Sequence, residues 1–360
     1  MKNIIKYMLV AITALSFSVA KAGDLAVTGS VKASYTIAGS DSTVAGINTG
    51  KALGLSNEFT LSASGELDNG WSWNYAQDID GATAQDDGKL TVTTGMGTIG
   101  IFISEGGLDT DNTASQSVIS RPSDTSYDEG MVDSWDISGQ NTLQYHTPAD
   151  MLPFGVTFKV AHAPSMVAAM NSYEAGGSIN TGAFTAATTS TGGSGIGQDS
   201  DMGRSATHYQ VKANPIEGLN IGADYMDYQG VDNSASQMPE SGSYYATYAM
   251  GPAVIGYSKS YLATALNQGI GDVTESIEGT KYSISFNVND DLSVSYENEE
   301  SNPDNTTSAT ANYTMESNGI QAAYTMGGMT IGVAMNEHEN ANYVTNKDVN
   351  DTVVSIAMAF

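Results

Sequence analysis

Phe59-Thr60-Leu61-Ser62-Ala63-Ser64-Gly65-Glu66-Leu67-Asp68-Asn69-Gly70-Trp71-Ser72-Trp73-Asn74-Tyr75 holds both arms of a hairpin and the turn between them. Phe59, Leu61, Ala63 and Leu67 share one parity, while Ser56, Glu58, Thr60, Ser62, Ser64 and Glu66 share the other. A period of two is the pattern of a strand with one apolar and one polar face. Leu67-Asp68-Asn69-Gly70 supplies the residue types of a tight turn, and the alternation resumes with Trp71, Trp73 and Tyr75 against Ser72, Asn74 and Ala76.

The same reading extends in both directions. Leu25, Val27, Val31, Tyr35 and Ile37 oppose Thr28, Ser30, Lys32, Ser34 and Thr36. Carried to the end it predicts about sixteen strands, an even number of the kind found in bacterial membrane barrels. Their spans are 24–38, 55–67, 71–80, 89–94, 98–104, 141–147, 155–162 and 206–214, then 219–228, 243–250, 253–261, 280–288, 292–299, 306–326, 329–337 and 351–360. Within 306–326 the outward parity changes between Tyr313 and Tyr324, which leaves open one bulged strand or two short ones.

The connections alternate. Short links fall at Asp68–Gly70, Gly95–Gly97, Pro148–Phe154, Pro215–Gly218, Gly251–Pro252, Asn289–Asp291 and Gly327–Gly328. Long links fall between them at 39–54, 81–88, 105–140, 163–205, 229–242, 262–279, 300–305 and 338–350. Short and long connections in strict alternation belong to an all-β transmembrane antiparallel barrel with short periplasmic turns and long external loops. A soluble barrel fills its inside with apolar side chains; here the Ser, Thr, Asn, Asp and Lys face lines water and the Val, Ile, Leu and Tyr face meets lipid. Val27, Leu61, Val156, Ile221 and Ile284 are expected outside, and Ser30, Thr60, Lys159, Lys212 and Ser285 inside. Trp71, Trp73, Tyr225, Tyr244, Tyr248, Tyr257, Tyr282 and Tyr296 have outward parity and are candidates for interfacial girdles.

Residues 1–22 read as a secretory signal: Lys2 and Lys6, an apolar run from Tyr7 to Ala20, and the small-x-small site Ala20-Lys21-Ala22, so that the barrel occupies 23–360. The run is shorter than the ~20 residues of a spanning helix. The whole chain has 13 Lys and Arg against 40 Asp and Glu, a net charge of -27, and loses Lys2, Lys6 and Lys21 with the signal to reach -30. Such acidity disfavours nucleic acid as a partner. There is no cysteine, so no disulfide supports the fold.

Asp351-Thr352-Val353-Val354-Ser355-Ile356-Ala357-Met358-Ala359-Phe360 alternates and stops on an aromatic. This end, the Leu67–Trp71 hairpin and the strand Asn141–Pro148 after a long acidic loop resemble the Gram-negative general diffusion porins. The resemblance implies a sixteen-stranded, water-filled homotrimer in the cell outer membrane, surrounded by lipid. It further implies Phe360 as part of the signal read by the barrel-assembly machinery, and passive diffusion of ions and small hydrophilic solutes, without enzymatic activity. The alternative is a surface adhesin or structural barrel without an open pore.

The loop 105–140 stands where that family has its constriction loop. It carries Glu105, Asp109, Asp111, Asp124, Asp128, Glu129, Asp133 and Asp136, with Arg121 as its only base. The family sets such acids against a tight basic cluster; here the inward-parity bases Lys32, Lys89, Lys159, Lys212 and Lys281 are spread over five strands. That departure favours a negative constriction and a preference for cations.

Other chemistry finds little support. Gly95-Met96-Gly97-Thr98-Ile99-Gly100 matches a dinucleotide-binding spacing but runs into the alternating Ile99, Ile101 and Ile103, so it is a hairpin turn. His146, His162, His208 and His338 have no metal-ligand neighbours at helical or finger spacing, and no residue stands out as a nucleophile beside a His and an Asp. No cofactor is expected. Asp109-Thr110-Asp111-Asn112 resembles the start of a calcium loop without its glycine and closing Glu, which leaves open a loosely held Ca²⁺.

Overall fold

A computed structural model describes residues 25–40, 42, 44, 47, 49–80, 83–124, 131–164, 205–229, 237, 239–263, 274–305 and 312–360. The segment read as a signal, 1–22, lies outside them, as do Asp128 and Glu129. Sixteen antiparallel strands close into one barrel. They are β1 Leu25–Gly39, β2 Gly50–Glu66, β3 Ser72–Asp80, β4 Thr83–Thr94, β5 Gly97–Ile103, β6 Thr142–His146, β7 Thr157–Ala163 and β8 Ser205–Ile216. The second half is β9 Leu219–Gln229, β10 Glu240–Met250, β11 Ala253–Ala263, β12 Thr274–Asn287, β13 Leu292–Asn305, β14 Met315–Met326, β15 Met329–Glu339 and β16 Val349–Ala359. Each strand pairs with its sequence neighbour and β1 pairs with β16. Among the described residues, helical structure is limited to short 3-10 turns.

All seven short links are where the sequence puts them. Gly70, at φ 79°, shows why the turn needs glycine: its amide donates to the Leu67 carbonyl (2.9 Å) in a conformation that a side chain disfavours. Four long links are shorter than expected. Residues 50–54 belong to β2, 83–88 to β4, 274–279 to β12 and 300–305 to β13, because strands run past the apolar band and continue pairing above it. Of the doubtful stretch 306–326, residues 306–311 lie outside the described ones; the rest holds one regular strand, β14, paired without a bulge, and Tyr313, whose parity conflicted, precedes it.

Residues directly opposed on paired strands share a face, so the ladder carries facing around the ring. Val27 opposes Leu61, Ile221 opposes Ala246, and Ile255 opposes Ile284, all outward; Ser30 opposes Glu58 and Lys159 opposes Gln210, all inward. Outward Tyr244, Tyr257 and Tyr282 meet across three strands, with ring centroids 6.3 and 5.2 Å apart. Toward the long loops the same outward face turns charged at Glu240, Lys259 and Glu278, which marks the upper limit of the apolar band.

Closure rests on the chain end. The Phe360 amide donates to the Gly29 carbonyl and the Gly29 amide to the Phe360 carbonyl, both at 2.9 Å. The Phe360 ring meets Phe59 edge-on at 5.6 Å and lies across Gly29, where a Cβ would come within 2.9 Å of it. A Cβ there would also meet the Glu58 carbonyl at 2.7 Å, so Gly29→Val is expected to displace the ring and strain the β1–β2 pairing, at an overpacking cost of about 1–3 kcal/mol. Urea unfolding in detergent micelles should show a lower midpoint; an unchanged midpoint would mean that the Phe360 seat does not contribute to closure.

Candidate pore constriction

Between β5 and β6 the chain turns into the barrel instead of staying outside. Gly106, at φ 82°, makes the bend, and Gln144 Nε2 donates to its carbonyl at 2.7 Å. The loop then follows the inner wall from β8 toward β15. Gln210 Nε2 holds the Leu108 carbonyl (2.9 Å), and Asp224 accepts both the amide and the hydroxyl of Thr110 (2.7 and 2.8 Å). Ser283 donates to the Ala114 carbonyl at 2.6 Å. Glu297 accepts from the hydroxyls of Ser115 and Ser117 at 2.5 and 2.6 Å. Gln321 accepts from the Ile119 amide and Glu299 from the Ser123 amide, at 3.0 and 2.9 Å. Gly332 provides the opening into which Ile119 packs. On the return, Tyr343 accepts from the Val132 amide (2.9 Å) and Ser241 from the Trp135 amide (2.7 Å). A loop buried in a barrel must satisfy its backbone, and inward-facing side chains do it here.

Charge reinforces these contacts. Lys281 Nζ lies 3.2 Å from Asp111, 2.9 Å from Asp133 and 2.8 Å from the Asn112 side-chain oxygen. Arg121 bonds Asp124 through two nitrogens (3.1 and 2.9 Å) and Asp133 at 2.8 Å. Burial would push the Asp133 carboxyl up, but Lys281 and Arg121 pull it down to about 2. Burial acts likewise on Asp136, which His208 and the Leu108 amide bring down to about 2. Asp109 is the opposite case: burial, with Asp111 and Asp136 beside it, pushes it up to about 9.

The structure thus brings Asp111, Arg121, Asp124 and Asp133 together around Lys281, and Asp109 beside Asp136. Glu105 stands apart, bonded to Lys89. Lys281 faces inward yet is covered by the loop and does not line open space. Its ammonium also occupies the oxygens of Asp111 and Asn112 that a Ca²⁺ would use. Asp78, Asp87 and Glu105 bring carboxylate oxygens within 4.8 Å of one another, with Lys89 already against Glu105. Asp224, Glu297 and Glu299 were not among the sequence candidates; their signal was a carboxylate at inward parity on a strand opposite the loop. Glu58, Asp78 and Asp80 share the inward face of β2 and β3 with Thr60, where the sequence drew attention only to bases. Ser317, His338 and Asp351 form a hydrolase-like line (2.8 and 3.6 Å), but all three are buried and closed to solutes.

Comparison with solved structures places the barrel. An anion-selective porin from Comamonas acidovorans matches with a TM-score of 0.61 at 11% identity, over 94% of this chain and 100% of that one. Salmonella typhi OmpF in complex with daunomycin gives 0.62 at 11% identity, over 94% and 98%. This is the porin fold. OmpT of Vibrio cholerae matches it at 0.57 and 9% identity, over 94% and 98%. No family model and no curated protein matches the sequence. In porin terms the link between β5 and β6, inward over its described residues 104–124 and 131–141, is the third loop, counted from the first long link.

Two outcomes follow for the loop. Lys281→Met leaves Asp111 without its buried cation and Asp133 with Arg121 alone, and breaking such a pair costs about 3–5 kcal/mol. The loop should detach, giving a larger and noisier single-channel current while the sheet signal in circular dichroism persists; an unchanged current would show that the hydrogen bonds alone hold it. The depressed Asp133 and Asp136 stabilise the seated loop above their ordinary value of 3.8 and lose that contribution as pH falls toward about 2. Asp109 keeps a proton that the free loop has lost, so seating weakens as pH rises from 3.8 to about 9. Asp109→Asn should abolish any increase in current noise between pH 6 and pH 9.

Proposed function

We propose that the chain is an outer-membrane porin, a passive water-filled channel for ions and small hydrophilic solutes that prefers cations and has no catalytic role. One contrast carries the reading. Inward-facing residues under the loop are buried, such as Gln210, Glu297 and Gln321. Inward-facing residues on the uncovered side, such as Thr28, Ser30, Ser56, Glu58 and Asp80, are exposed. Water therefore reaches the inner face past the loop, which argues against an adhesin or structural barrel with a plugged interior.

The preference for cations rests on charges at both margins of that passage. Among the described loop carboxylates Asp124 is the most exposed, at 52%. On the wall side Glu58 and Asp80 oppose each other in register. Carboxylates outnumber Lys and Arg at both margins, and low-dielectric walls focus their field. Likeness to an anion-selective porin at 11% identity concerns the backbone, not these side chains. A homotrimer fits the outward face of β1 and β2, where aliphatic Leu25, Val27, Leu53 and Leu55 are highly exposed and tyrosine is sparse; the tyrosine-rich β10–β12 face suits lipid.

The test is the reversal potential in a KCl gradient. The unmodified channel should show cation preference, and Asp124→Asn with Glu58→Gln and Asp80→Asn should move the potential toward zero. The shift should shrink as salt rises, since screening acts over ~8 Å at physiological ionic strength. Anion preference in the unmodified protein would refute the assignment, and no conductance at all would refute the pore.

A further inference from the structure

Below the loop, on the side of the short turns, a cavity of about 550 Å³ opens among β7, β8, β9 and β10. Lys212, Asn214, Asn220, Tyr245, Thr247 and Asp150 line it, with Thr113 of the loop at its upper lip. Tyr245 is only 5% exposed, and its ring lies under Lys212, with Nζ 5.7 Å from the centroid. Lys212 also reaches Thr113 Oγ1 at 3.4 Å. Asn220 donates to Thr247 at 3.3 Å.

Two features set this place apart. Lys212 and Lys159 stand one inward step apart on paired strands, since Thr157 opposes Lys212 and Lys159 opposes Gln210. Among the described residues neither has a carboxylate within 4.0 Å, whereas Lys89, Arg121 and Lys281 each sit against one. Neighbouring ammonium groups repel, and an anionic group between them relieves that repulsion. Yet a simple anion would have to cross an acidic passage, and the same cavity exposes the carboxylate of Asp150. A solute with both charges and no net charge satisfies every charged member of the lining.

We propose that this cavity is a transient binding site for small zwitterions, namely free amino acids and short peptides. The proposal rests on the open-pore reading and adds a solute class to it. The solute carboxylate bonds Lys212, with Lys159 adding positive field from the next inward position; its ammonium faces Asp150, and the side-chain amides of Asn214 and Asn220 serve the remaining polar atoms. Contacts of this kind, between groups that both carry charge, are the stronger hydrogen bonds. The cavity opens to the lumen, so the solute pauses and moves on.

Single channels in planar bilayers test the site, with each protein's own KCl conductance as its reference. Glutamine, the zwitterion, is compared with its methyl ester (cation only), N-acetylglutamine (anion only) and glucose (neither). Glutamine should produce current interruptions about tenfold longer than the other three, the size expected from one charge-assisted hydrogen bond. Lys212→Gln and Asp150→Asn should each remove most of that difference. Equal interruption by glutamine and glucose would overturn the proposal. So would interruption by N-acetylglutamine equal to that by glutamine, together with an unaffected Asp150→Asn channel, since that describes a plain anion site. Conduction in KCl without a glutamine effect sinks this site alone, and failure to conduct in KCl sinks the pore reading beneath it.

Discussion

A β-strand has two hydrogen-bonding edges, and a membrane offers neither of them water. Only a ring leaves no edge unpaired. In this chain the ring depends on one junction, the pairing of β1 with β16, which ends where Gly29 and Phe360 exchange two backbone hydrogen bonds. Because pairing runs between sequence neighbours everywhere else, this is the one long-range step that the fold requires. The absence of a side chain at Gly29 and the aromatic at the terminus are complementary, and the Phe59 ring completes the seat.

Closure with a polar inner face has a second consequence. A polar inner wall leaves hydroxyls, amides and carboxylates with unused hydrogen-bonding capacity, and a loop that enters can take it up. The 104–141 loop does so over much of its length, with Asp224, Ser283, Glu297, Glu299 and Gln321 as its main anchors. Lys281 and Arg121 keep the buried carboxylates from repelling one another. Acidity is thus used in two ways: buried acids position the loop, and acids such as Glu58 and Asp80 are exposed on the inner face that the loop leaves uncovered.

Most of the barrel was legible in the sequence, because parity and the length of links are local signals. Tyr244, Tyr257 and Tyr282 face outward as their parity requires, and the turn at Gly70 follows from its residues. Strand ends above the apolar band were less legible: Glu299 to Asn305 carry no hydrophobic alternation, yet they pair with β12 through hydrogen bonds that leave no mark on composition. The site was half legible. The acidic loop stood out, but the loop's path depends on which wall residues it meets, and those contacts join positions more than 100 apart in the chain. Lys281 looked like a lumen base and proved to be the loop's counter-ion for that reason.

The loop resides within the barrel, with Ile119 against β15. Ile119 Cγ1 lies 3.0 Å from where a Gly332 side chain would begin, within disulfide reach once both positions carry cysteine. In the doubly substituted Ile119→Cys, Gly332→Cys channel, single-channel conductance is compared before and after reduction. Mild copper–phenanthroline oxidation, with oxygen as the electron acceptor, should link the pair, and the conductance should be the same in both states. A pair that fails to link, or a channel that conducts much more once reduced, would show that the loop normally lies elsewhere.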